Sequence, residues 1–143
     1  MGYRPAIALI LLVLAVTSSA GCSRAKSIDR DQVRSEIRSA RSFAAELEMF
    51  LDFVLQGHAT RSYAQGHAAY LEEEVERSAK DLDNAVAEPD AADSVSECRT
   101  QLHHMAGELS DIGDALGDRN RLAAAKARIR QIRESLEKAA SHP

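Results

Sequence analysis

Residues 33–54 read VRSEIRSARSFAAELEMFLDFV. Apolar side chains recur there at Val33, Ile37, Ala40, Ala44, Leu47, Leu51 and Val54, in steps of 4-3-4-3-4-3. A mean step of 3.5 keeps one face of an α-helix turned toward its neighbours along its whole length; a strand would alternate every second residue. The ends of the segment agree. Asp29 followed three residues later by Gln32 is a capping-box pair, in which each side chain satisfies a backbone N–H that the helix leaves open. Gly57 is suited to the left-handed residue that closes a last turn.

The same period recurs three times downstream. A second helix is expected over about 60–86, with its seam at Ala64, Ala68, Leu71, Val75, Ala79, Leu82 and Val86, and with Gly66 a local weakness of up to ~1 kcal/mol. Glu88-Pro89-Asp90 breaks the chain, with Pro suited to a first helical turn. A third helix over about 90–116 carries Val95, Cys98, Leu102, Met105, Leu109, Ile112 and Leu116. Gly117 ends it, Asp118 caps a fourth, and the last seam is Leu122, Ala125, Ile129, Ile132, Leu136 and Ala139. Short links make successive helices antiparallel. The expected fold is all-α: an antiparallel up-down-up-down four-helix bundle with coiled-coil-like heptad packing. The alternative is a long hairpin that completes its core by dimerising. Composition suits either, with 45% hydrophobic and 28% charged residues, no Trp and few aromatics. A formal net charge of −4 argues against general nucleic-acid binding.

The first 22 residues differ in kind. Arg4 is followed by an uninterrupted apolar run of 11 residues, AIALILLVLAV at 6–16, and then by the small residues TSSAG at 17–21 and by Cys22. This is the charged, apolar, small-residue order of a secretory signal. As a helix the run would be ~16 Å long, about half a bilayer's hydrocarbon core, so a permanent spanning segment is not expected.

Ser19-Ala20-Gly21-Cys22 resembles the lipobox of bacterial lipoproteins, although that family usually carries Leu where Ser19 stands. The resemblance covers only the leader and Cys22. It implies cleavage before Cys22 and acylation of that residue with fatty acids such as palmitate. The protein would then sit in the cell envelope, anchored to a membrane. Ser23, by analogy with enterobacterial sorting, favours the periplasmic face of the outer membrane over the inner membrane. The alternative is an ordinary secretory signal cut after Ser18, Ala20 or Gly21, with Cys22 a free thiol. On the first reading the organisation is a signal peptide at 1–21, an acylated anchor and linker at 22–28 and a helical domain at 29–143.

Function is less legible. Around Met49, Phe50 and Phe53 helix one is apolar most of the way round, more than one seam requires. With Leu47 at the centre of the buried face, Met49 lies nearly opposite and Phe53 about 120° away. A partner-binding or dimerisation patch is one reading; the other is that Tyr63, Tyr70 or the first loop folds over it. Arg24, Lys26, Arg30, Arg34 and Arg38, continued by Arg41, put positive charge near the anchor, where an anionic surface could bind. The basic fourth helix raises the same question against anionic lipid or cell-wall polymer. Ten acids between 72 and 97 suggest instead that neighbouring helices carry complementary flanks.

The histidines (His58, His67, His103, His104 and His142) lack the spacing of a helical metal site, and Met105 and Cys98 sit on a seam as core residues do. No catalytic motif is present, and neither enzyme activity nor a cofactor is expected. The leading expectation is a membrane-anchored interaction or structural module of the envelope, bound to another envelope protein or to itself. A small-ligand, haem or metal carrier using the bundle interior is the alternative.

Overall fold

The four apolar seams meet in one core. In a computed structural model that describes residues 26–141, the chain runs β1 (Ser27–Ile28), α1 (Arg30–Leu55), α2 (Arg61–Asp83), β2 (Val86–Ala87), α3 (Ala92–Ala115) and α4 (Arg119–Ser141). The helices form the expected four-helix bundle. Val33, Ile37, Leu47 and Leu51 of α1 are buried with Leu71, Val75 and Leu82 of α2. Leu102, Met105, Leu109 and Ile112 of α3 and Leu122, Ile129 and Leu136 of α4 complete the interior. The signal peptide, Cys22 and Arg24 lie outside the described residues.

The helix starts follow the capping chemistry. Asp29 Oδ1 accepts from the Gln32 N–H at 2.8 Å, and Gln32 Oε1 accepts from the Asp29 N–H at 3.3 Å. Thr60 Oγ1 accepts from the Tyr63 N–H, and Asp118 Oδ1 accepts from the N–H groups of Asn120 and Arg121. Gly57, at φ +77°, closes α1 in the left-handed conformation that a side chain would strain.

The end of α2 differs from the expectation. The helix stops at Asp83, and Val86 leaves the seam to become 58% exposed. Asn84 turns the chain, its side-chain amide donating to the Lys80 carbonyl at 2.8 Å. Arg99 of α3 donates to the Leu82 carbonyl at 2.7 Å and pairs with Asp83 at 3.1 Å, placing a cation at the negative end of the α2 dipole. Residues 86–87 then pair in parallel with residues 27–28, in the register Ser27↔Val86 and Ile28↔Ala87. β1 leads into α1 and β2 into α3, so their parallel pairing fits two helices that rise in the same direction. Pro89 is not in a first helical turn. It sits in a Glu88–Ala91 turn closed at 2.9 Å, and α3 begins at Ala92 without a side-chain cap.

The bundle is not square. α1 packs along α4, α2 along α3 and α3 along α4, whereas α1 meets α2 less than it meets the diagonal helix α3. Aromatic rings stand in the loose α1–α2 seam.

Candidate functional site

The loose seam holds a groove of about 380 Å³ lined by Glu46, Met49, Phe50, Phe53, Tyr63 and His67. Its α1 wall comes from one stretch of sequence. Phe50 turns inward, is buried and meets the His67 ring edge-on at 4.9 Å. Phe53 remains 42% exposed and Met49 71% exposed at the rim.

The α2 wall is a ladder. Tyr63, His67 and Tyr70 follow one another at helical spacing on one face. The Tyr63 and His67 rings lie 10° from parallel with centroids 5.6 Å apart, and His67 and Tyr70 lie 25° from parallel at 6.1 Å. The α1 rings stand steeply to this wall, Phe53 at 74° to Tyr63 and Phe50 at 64° to His67. His58 closes the upper end beside Phe53.

The patch is partly covered from α2. Tyr63 packs on Phe53, and Phe50 is covered and is not a surface residue. Met49, Phe53, Tyr63 and Tyr70 still leave a contiguous apolar rim in solvent. Sequence reasoning named the α1 half of this site. It gave His67 and Glu46 no part, because each looks ordinary on its own helix and acquires meaning only across the seam.

The chain matches no family model, no curated protein and no solved structure.

The basic residues near the start of α1 are largely engaged. Arg30 pairs with Asp90 at 3.1 Å and Arg34 with Asp31 at 3.2 Å. Lys26 contributes its backbone carbonyl to the β1–β2 pairing. Arg38 has no ion pair among the described residues and lines a shallow α1–α4 groove with Arg41, Arg133 and Glu137.

The bases of α4 are complemented by α1 and α3 and do not meet the acid-rich α2. Lys126 pairs with Asp52, Arg130 and Arg133 with Glu48, and Arg128 with Glu108 at 2.8 Å. α2 and α4 are diagonal in the bundle, so the acids of α2 find other bases, Glu73 and Glu74 with Arg77 and Glu76 with Lys80 on their own helix and Asp83 with Arg99 of α3. Arg119, Arg121 and Lys138 keep no ion pair among the described residues.

The remaining chemistry-bearing residues are dispersed. His103 meets Asp83 at 3.1 Å, and His104 lines a surface groove between α3 and α4. Cys98 is fully buried, and desolvation, with Glu36 and Glu97 adding negative charge nearby, pushes its thiol up to about 12. Among the described residues, no three or more His, Cys, Asp or Glu side chains gather as a metal site would require. No described helix is long and apolar enough to cross a membrane.

Proposed function

We propose that the protein is a lipid-anchored module of the bacterial cell envelope that works by binding another envelope protein through the α1–α2 groove. The leader carries the first half of this reading: one basic residue, an 11-residue apolar run and Ser19-Ala20-Gly21-Cys22. The exposed rim of Met49, Phe53, Tyr63 and Tyr70 carries the second.

Geometry relates the two halves. Four peptide steps separate Cys22 from Lys26, at most ~14 Å of extended chain. Residues 26–28 are hydrogen-bonded to the α2–α3 connection, so the tether would leave from that end of the bundle. The groove begins 16 residues beyond the start of α1, at Glu46, and is therefore ~24–35 Å further along the rod. An anchor at Cys22 would hold the groove clear of the headgroups and available to a partner. By the Ser23 analogy the membrane is the outer one, on its periplasmic face.

Mass spectrometry of the membrane-extracted protein tests the anchor. The expected amino terminus is Cys22 with its diacylglycerol modification, and Cys22→Ser should leave the precursor uncleaved. An unmodified cysteine, or cleavage elsewhere, overturns the lipoprotein reading. Photo-cross-linking from Met49 in intact envelopes tests the groove. A discrete adduct is expected, lost in Phe53→Ala with helical content unchanged. Absence of any adduct, or one indifferent to Phe53, overturns the docking reading.

A further inference from the structure

The groove is more than apolar, and its chemistry selects among partners. We infer that it seats a cationic group, a guanidinium or ammonium at the end of a basic side chain on the partner; this rests on the docking reading above.

The ring geometry is the first reason. The nearly parallel Tyr63 and His67 make one wall, and Phe53 and Phe50 stand at 74° and 64° to it. Rings meeting at such angles form a corner. The faces of Phe and Tyr carry the negative part of the ring quadrupole, which attracts cations. The exposed thioether of Met49 adds a soft, polarizable rim.

Charge is the second reason. Glu46 lines the groove, and its carboxylate is half exposed. Glu48, Asp52 and Glu108, on the α4 side of the bundle, are each matched by Lys or Arg. Among the described residues Glu46 has no such partner: its neighbour across the seam is the His67 imidazole, with Nε2 at 3.7 Å. Among the described residues, no lysine or arginine lines the groove. An apolar stripe alone would leave this carboxylate uncompensated as it loses water, whereas a basic side chain would supply the missing charge while its methylene stem covers the rings. The void of about 380 Å³ is ample for one such side chain with part of the backbone that carries it.

The protein provides its own reporter. It has no Trp and three Tyr, of which Tyr63 lines the groove, Tyr70 stacks on its wall and Tyr3 is in the leader. Tyrosine emission of the full chain in detergent can be titrated with N-acetylarginine amide and with its uncharged isostere N-acetylcitrulline amide, at constant ionic strength. The arginine compound should give a saturable change, with the citrulline compound roughly tenfold weaker. Glu46→Gln, an exposed position that leaves the core untouched, should bring the two within about twofold at unchanged circular dichroism. Equal responses to both compounds would overturn the cationic partner while leaving an apolar docking groove standing. No response to the arginine compound, or a preference that survives in Glu46→Gln, would overturn the inference as well. So would sedimentation showing a dimer whose formation closes the groove to the probe, since the occupant would then be a second copy.

Discussion

Ile28 lies beside Ala87 across 59 residues of sequence, and its carbonyl accepts from the Glu88 N–H at 3.0 Å. Its side chain is buried in the bundle core although it precedes every described helix. The residue therefore fastens the chain ahead of α1 to the α2–α3 connection by backbone and side chain together. Ile28→Ala should cost about 2–5 kcal/mol, the usual range for truncating a buried isoleucine. Val86→Ala, in the same pairing but with its side chain in solvent, should change stability by less than ~0.5 kcal/mol. Urea unfolding at constant m-value measures both, and equal effects would mean that Ile28 is not a core residue.

The thiol of Cys98 is fully buried on the α3 seam. The thiolate is the form that attacks thiol reagents, so the folded protein should resist labelling at pH 8 and react at this position only as fast as it unfolds. Burial raises the thiol from its ordinary 9.0 to about 12, so the folded state keeps this proton to higher pH than the unfolded state does. The stability that depends on it is intact below pH 9 and is lost as pH rises from about 9 toward 12. Cys98→Ser should cost ~1–3 kcal/mol through a buried hydroxyl, and Cys98→Ala should flatten this part of the alkaline profile.

The heptad seams were legible because burial in a bundle repeats with the helix, and nearly every seam residue is in the core. Caps at Asp29 and Asp118 were legible because their hydrogen bonds are local. Val86 was misread for the converse reason. It continues the helical period, but the helix is ended by Asn84 and by a partner strand near the amino terminus, and a two-residue strand leaves no alternating pattern to read. At the groove, Phe50 and Phe53 were visible as an apolar excess. Whether they were covered depended on how closely α2 approaches, which no local signal encodes. The fate of the α4 charges was within reach of topology: an up-down-up-down order makes α2 and α4 diagonal, so the acids of α2 could not have met them.

Glu48 is only 9% exposed and faces two arginines of α4, Arg130 at 3.5 Å and Arg133 at 3.0 Å. Both arginines remain partly in solvent, which screens the attraction. Glu48→Gln keeps the volume and removes the charge, and should cost about 1–2 kcal/mol. Raising salt should narrow the gap between the two proteins only slightly, because the carboxylate itself is sheltered. Glu76→Gln, which breaks an exposed pair with Lys80 at 3.5 Å, should stay within ~0.5 kcal/mol and serves as the control. Equal losses at the two positions would show that Glu48 is no better sheltered than the surface.

Glycines at three positions separate backbone from packing. Gly57 holds φ at +77°, so Gly57→Ala should cost about 1–2 kcal/mol even though an added Cβ meets nothing within 4 Å. Gly66 and Gly107 are helical, and a Cβ there also meets nothing within 4 Å. Their substitution by Ala removes unfolded-state freedom without creating a clash, and each should stabilise the protein by ~0.5–1 kcal/mol. The two sit on different helices with no shared partner, so the effects should add in the double variant. Thermal or urea unfolding of the three single variants and the Gly66→Ala/Gly107→Ala pair provides the measurement. A loss at Gly66 alone would mean that the loose α1–α2 seam uses the missing side chain for a closer approach than the present geometry has.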